Sequence, residues 1–234
     1  MSKELNSIDT DKPFEYVDGS PVFHGVPVAL VNTTVAGQTY SLAVLRDAAA
    51  LLDDPVFAAR FLDRDMAPYG LQLWDAAIAL SEFLQEFEPT AEGRALELGC
   101  GSGLVSMVLA RSGWKVTATD YEPATIAFAR YNALQNNVRG CQFEMLDWRH
   151  FETGEKFDLI VGADVAYQLS DHAPLLSCIS ANLAQAGRAY LCDPMRSVAD
   201  RLPEAARESG LDALQQSWEW RSPVRVWKLT HRCS

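Results

Sequence analysis

The chain has 234 residues, 48% of them hydrophobic and 22% charged, which is long enough for a full core and matches an ordinary globular composition. Those proportions exclude disorder, collagen-like repeats and small disulfide scaffolds, and a net charge of -11 has the wrong sign for a nonspecific nucleic-acid or anionic-membrane binder. Five scattered cysteines without a CxxC pair, four dispersed histidines and no apolar run of ~20 residues predict a reducing, cytoplasmic protein with no metal site and no membrane span.

The first dozen residues read as a loose polar tail. From Phe14 onward β-rich runs alternate with turn signals at DGSP, HG and AG, which predicts small antiparallel strands. A helix is expected over Ala48 to Phe61, and residues 1–70 are assigned to one N-terminal β/α appendage. Next, Leu73, Ala77, Leu80, Leu84 and Phe87 fall on one helical stripe that ends near Pro89 and leads into the main domain, residues 71–234. The acid-rich runs LDRD and EFLQEFE read as solvated helix faces.

From Ala95 short apolar strands alternate with helices: ALEL, a helix from Leu104, KVTAT, a helix from Ala124, CQFEM, FDLIVG, a helix near Ala173, RAYLC and a helix near Val198. That alternation predicts an α/β fold, a doubly wound Rossmann-like parallel sheet with helices on both faces. The last stretch, LQQSWEWRSPVRVWKLTHRC, carries two strands around an RSP turn and predicts a C-terminal antiparallel hairpin.

The most specific segment is ALELGCGSGL, in which a strand runs into Gly99, Gly101 and Gly103 and then into a helix. Ligands of open parallel sheets sit beyond the carboxyl ends of the strands, where glycines let the backbone come close. Asp120 closes the next strand, 21 residues after Gly99, where a carboxylate can accept hydrogen bonds from both ribose hydroxyls. A dinucleotide fingerprint would want glycine where Leu104 stands, and Glu97, two residues before the loop, would repel a pyrophosphate. The same carboxylate suits a ligand with an ammonium group and a positive centre, such as the methionine part of S-adenosylmethionine. Cys100 inside the loop reads as a small filler, and His150 and His172 have no evident partner in sequence.

With ELGCGSGLVS as first motif and Asp120 as the acid after the second strand, Ala95 to about Cys192 resembles the class I, seven-strand S-adenosylmethionine-dependent methyltransferases. The resemblance implies a seven-stranded sheet with a reversed final strand and S-adenosyl-L-methionine as cofactor. It further implies that Glu97, Gly99 and Gly101 line the methionine end, that Asp120 holds the ribose and that Tyr121 lies against the adenine. In LDWRH it gives Asp147 the adenine amino group and sets Trp148 beside it, and it places Trp74 and Ala163 on the cofactor wall. A narrower similarity, to the seven-strand protein-lysine methyltransferases, is carried by AGQTYSLAV, by GLQLWDAAIAL with Trp74, and by FDLIVGADVAY. In that group an acid-x-x-aromatic motif follows the fourth strand, and Asp164 to Tyr167 matches it. CDPMRSVADRLPE also resembles a GDPxR segment of one branch, with Met195 in place of its glycine and Asp75 rather than proline after Trp74.

A lysine amine, with a pKa near ~10.4, must lose its proton before it can attack, and holding it in line with the methyl supplies much of the rate. Asp164 and Tyr167 are the candidates for orienting that amine. The first expectation is therefore an N-methyltransferase acting on a protein lysine. A small-molecule amine methyltransferase and a non-catalytic cofactor-binding partner subunit are the alternatives. The acidic excess lies before Gly187, and ADVAY stands where an NPPY-like tetrapeptide would grip a base edge, so a nucleic-acid acceptor is not expected.

Overall fold

The computed structural model describes residues 13–55, 57–59, 68–88, 92–151 and 154–232 and places them in two sheets. The N-terminal sheet is an antiparallel meander of β1 (Glu15–Val17), β2 (Ser20–Phe23), β3 (Val26–Val35) and β4 (Gln38–Leu45). Its turns are Asp18-Gly19, His24-Gly25 and Ala36-Gly37, and all six residues have positive φ. Two such residues in a row give the turn whose twist matches the paired strands on either side. Ala48–Asp53 is a 3-10 helix whose first turn is capped by Asp47, which accepts from the Ala49 N–H at 3.1 Å. A new helical turn starts at Pro55, so the one helix expected over Ala48 to Phe61 is broken there: proline has no N–H to continue the ladder. Residues 60 and 61, like the LDRD run, lie outside the described residues.

The second sheet has seven strands: β5 (Arg94–Leu98), β6 (Lys115–Asp120), β7 (Cys141–Met145), β8 (Phe157–Ala163), β9 (Leu183–Asp193), β10 (Leu211–Gln215) and β11 (Arg225–His231). Their order is β10-β11-β9-β8-β5-β6-β7; β11 is antiparallel to both neighbours and the other pairs are parallel. Among the described residues five helices cover the faces: α1 (Asp75–Phe87), α2 (Leu104–Arg111), α3 (Pro123–Gln135), α4 (Leu169–Asn182) and α5 (Leu202–Glu208). Alternate strand residues feed opposite cores. Leu96, Ile160 and Leu191 pack with Leu175 and Ile179 of α4, whereas Ala95, Leu159, Val161 and Tyr190 pack with Leu80 and Phe83 of α1.

Other sequence expectations change in detail. Phe87, placed on the buried stripe of α1, is 48% exposed and only stacks on Phe83, because Ala76, Ala79, Leu80, Phe83 and Leu84 form the packed face. The helix near Val198 is a 3-10 turn over Ser197–Arg201 followed by α5. The final hairpin pairs Leu211–Gln215 with β11, and the tryptophans beyond it leave the sheet. Trp218 and Trp220 donate their indole N–H groups to Glu86 and Glu82 of α1, at 3.0 and 2.6 Å. The EFLQEFE run is thus partly engaged by the protein, and its last acid, Glu88, is buried against Arg188 and Tyr190.

The same geometry joins the two sheets. Asn132 of α3 and Asn136, the C-cap four residues on, pair with the backbone of Ala43 and Ser41, two residues apart on the free edge of β4. Four helical residues advance ~6 Å and two strand residues ~6.6 Å, so the two periods match. Asn132 is fully buried; its Oδ1 accepts from Ala43 N–H at 2.7 Å, and its Nδ2 donates to the carbonyls of Ala43 and Ser102 at 3.2 and 2.9 Å. Asn132→Ala leaves three buried backbone groups without a partner and is expected to destabilise the protein by about 3–5 kcal/mol. A urea unfolding midpoint close to wild type would contradict that. Among the described residues no helix is long and apolar enough to cross a membrane, and no group of three or more His, Cys, Asp or Glu side chains could hold a metal ion.

Candidate active site

The loop after β5 is shaped by its glycines. Gly99 has φ +68, and a Cβ there would come within 2.7 Å of the Val165 side chain; at Gly103, with φ +80, a Cβ would press on Ala129 of α3 at 3.1 Å. The turn holds itself closed: the Cys100 N–H donates to the Thr119 carbonyl and the Gly103 N–H to the Cys100 carbonyl, both at 2.8 Å. Beneath it lie two buried carboxylates. Asp120 accepts from the Gly101 N–H at 3.3 Å on one oxygen and from the Glu122 N–H at 3.1 Å on the other. Burial, with the Glu122 charge adding to it, outweighs those bonds and pushes the Asp120 carboxyl up to about 7. Glu97 accepts the Ser106 hydroxyl; burial, with the Asp120 charge, pushes its carboxyl up to about 8. Two carboxylates this dry favour a cationic or hydroxyl-bearing ligand.

A cleft of about 740 Å³, part of it open to solvent, connects this loop to the end of β8. Its lining contains Trp74, Glu97, Gly99, Gly101, Asp120, Tyr121, Trp148, Ala163, Asp164 and Tyr167, all anticipated from sequence. Trp148 is buried, and its indole N–H has no acceptor among the described residues. Asp147 does not line the cleft. Both its oxygens are taken by Arg149, with Nε–H to Oδ1 at 2.8 Å and Nη2–H to Oδ2 at 3.0 Å. Partial burial works against its ionisation, but the Arg149 bonds prevail and hold the Asp147 carboxyl below the usual range.

At the other end Asp164 has a left-handed backbone, φ 53, fixed by its N–H donating to the Cys192 carbonyl at 2.7 Å. It does not cap α4, whose first turn follows Gln168. Its carboxylate lies against Arg196, a residue to which the sequence reading gave no role. Tyr167 is half-buried; burial, and after it the Asp171 charge, pushes its phenol up to about 12. Tyr69, also missed, meets Trp74 and Tyr167 edge to face, with ring centroids 5.8 and 6.2 Å apart, and its carbonyl accepts the Trp74 indole N–H at 2.8 Å. The three rings form an aromatic rim next to Asp164. Tyr69 opens a 3-10 turn over Tyr69–Leu71, and Pro68 just before it is a turn signal that could have marked the position.

A family model described as "Lysine methyltransferase" matches residues 60–202. The zebrafish (Danio rerio) protein N-lysine methyltransferase METTL21A is 39% identical over 103 residues, covering 41% of this chain and 47% of that protein. A histidine protein methyltransferase 1 homolog from Dictyostelium discoideum is 31% identical over 133 residues, covering 52% of this chain and 42% of that protein. The chain thus spans about half the length of the curated relatives it matches. Among solved structures, the Thermus thermophilus 16S rRNA N2 G1207 methyltransferase RsmC shares the fold, with a TM-score of 0.62 at 17% identity over 91% of this chain and 52% of that chain.

Proposed function

The chain belongs to the lysine methyltransferase family, and from that premise we propose that it transfers a methyl group from S-adenosyl-L-methionine to a lysine side chain of a protein. One observation carries the reading: a single cleft holds two buried carboxylates under a glycine loop at one end, and a carboxylate beside an aromatic rim at the other. The residues present fit that cofactor. Among the described residues no cation pairs with Glu97, Asp120 is set to accept from a diol, and Trp148 and Tyr121 offer flat walls for a base. When bound, the cofactor supplies an activated methyl group on a sulfonium sulfur.

In this reading Glu97 holds the ammonium and Asp120 the ribose hydroxyls, while Gly99, Gly101 and Ala163 leave room for the chain between them. Asp147, the expected partner of the adenine amino group, has both its oxygens engaged by Arg149. Tyr167 stays neutral at physiological pH and can accept or donate a hydrogen bond at the acceptor nitrogen. Asp164 orients that nitrogen and steadies the departing proton, and Trp74 walls the entrance. The acidic chain favours a basic protein over a nucleic acid as partner. The free thiols of Cys100, Cys141, Cys178 and Cys192 support a reducing, cytoplasmic setting.

Incubation of the purified protein with methyl-labelled S-adenosylmethionine and an extract of its source cells tests this. Label in a discrete protein that yields methyl-lysine on hydrolysis is the expected result. Methyl-histidine would move the acceptor, label confined to small molecules would replace the protein acceptor by an amine, and tight cofactor binding without any transfer would leave a non-catalytic partner subunit.

Proton linkage gives a second check. Without a cation Glu97 is largely protonated below about pH 8 and Asp120 below about pH 7, and a bound ammonium and diol favour the ionised forms. Binding of S-adenosylhomocysteine should therefore release protons, and its affinity should rise with pH, most steeply below about pH 7, and level off above about pH 8. Calorimetry in buffers of different ionisation enthalpy measures this directly; affinity that is flat across the range would contradict the electrostatics assigned to Glu97.

A further inference from the structure

The proposed chemistry leaves the company of Asp164 unexplained. Arg196 donates its Nε–H to Oδ1 at 2.6 Å and its Nη2–H to Oδ2 at 2.7 Å, the parallel bonds of a fork-to-fork pair. The Arg196 side chain is 39% exposed and that of Asp164 8%. The arginine is not a loose surface group that happened to find an acid, because its backbone is pinned on both sides. Its N–H donates to Asp193 Oδ1 at 2.8 Å, and its carbonyl accepts the Nη2–H of Arg225, also at 2.8 Å. Arg225 is itself buried, and donates to both oxygens of Asp193 at 3.1 and 3.2 Å and to Asp200 at 2.5 Å. Charges thus alternate from Asp164 through Arg196, Asp193 and Arg225 to Asp200. Both ends of the Asp164–Arg196 contact hang on non-glycine residues with left-handed backbone, Asp164 at φ 53 and Met195 at φ 60. Such conformations persist only where the surroundings over-determine them. A partly exposed ion pair adds little to stability, so this support is out of proportion to a structural role.

Resting on the methyltransferase reading, we propose that Arg196 is a positioning residue for methyl transfer, which fixes the orientation of the Asp164 carboxylate and shares its charge. A lone carboxylate beside a lysine ammonium favours the protonated form, which has no lone pair to give. With Arg196 in place, two of the four acceptor positions on the carboxylate are taken and part of its charge is balanced. The remaining positions can aim an acceptor N–H without holding the ammonium in its charged state. Arg196 acts through Asp164 and has no contact of its own with the acceptor.

The test uses the full chain and the protein acceptor that the wild-type enzyme labels. R196Q is expected to lower kcat about 10-fold to 100-fold, with no rise in the acceptor KM and with S-adenosylhomocysteine affinity and melting temperature near wild type. Distortion of the site would instead raise KM. R196K, which restores the charge without the fork, should recover part of the lost kcat and covers the case in which R196Q folds poorly. A kcat within about twofold of wild type in R196Q, or a loss carried by KM, overturns the proposal. Failure of the wild-type protein to methylate any protein overturns the reading on which it rests, and the proposal with it.

Discussion

Asp164→Ala is expected to lower kcat for methyl transfer by about 10²-fold or more while changing S-adenosylhomocysteine affinity by no more than severalfold. The split follows from where the residue sits. Asp164 lies at the end of β8, in the same cleft as Glu97 and Asp120, but it belongs to the rim formed with Tyr167 and Tyr69 rather than to the floor beneath the glycine loop. Removing its carboxylate takes away the group that aims the acceptor and leaves the cofactor anchors intact. The fold should survive, because the Arg196 side chain released by the change is 39% exposed and water can replace its partner. Asp164→Asn keeps one acceptor oxygen and most of the shape, so it should fall between wild type and alanine. Steady-state kinetics with the labelled acceptor, together with calorimetry for S-adenosylhomocysteine, check both halves. Normal turnover in Asp164→Ala would remove Asp164 from the mechanism.

Asp120→Ala is expected to give the opposite pattern, with cofactor affinity about 100-fold weaker. Two hydrogen bonds from a diol to an ionised carboxylate account for a loss of about 3 kcal/mol, which corresponds to that factor. On the fold the change acts in two opposite ways: it removes a buried charge, and it leaves the Gly101 and Glu122 N–H groups without their acceptor. Burial lifts the Asp120 carboxyl from its ordinary value to about 7, so the folded protein holds a proton that the unfolded chain has already released. From about pH 4 upward that difference works against folding, and above about pH 7 the penalty is complete. Removing the carboxylate removes this penalty, so the melting temperature of ligand-free Asp120→Ala relative to wild type should rise between about pH 5 and about pH 8, while S-adenosylhomocysteine binds poorly. A lower melting temperature with unchanged affinity would make Asp120 a structural residue. The same linkage makes the wild-type protein gain more from bound cofactor than the variant does, since the ligand answers the buried charge.

The parts legible in the sequence are those encoded over short distances. The DG, HG and AG pairs specified the turns of the meander, and the apolar strands with Gly99, Gly101 and Asp120 specified the parallel sheet and the floor of the cleft, because strand period, turn chemistry and a glycine loop are local. Pairings that close over ninety or so residues leave no such trace. Nothing around Asn132 or Asn136 marks them as replacing a strand along β4, and only the matched advance of helix and strand shows why they can. Glu82 and Glu86 looked like solvated acids because Trp218 and Trp220, which bind them, lie far along the chain. Asp147 was assigned to the cofactor from its motif, whereas its nearest claim comes from Arg149, two residues away. Arg196 was visible only as the last letter of CDPMR; its meaning depends on a turn held by Arg225 from another strand.

One cleft is expected to assemble both partners of a methyl transfer, and the structure of the protein bound to S-adenosylhomocysteine tests that most directly. The predicted result has the amino group at Glu97, the ribose hydroxyls at Asp120, the base against Tyr121 and Trp148, and the sulfur facing Asp164 and Tyr167. A ligand seated elsewhere, or one whose sulfur faces away from Asp164 and Tyr167, would contradict it.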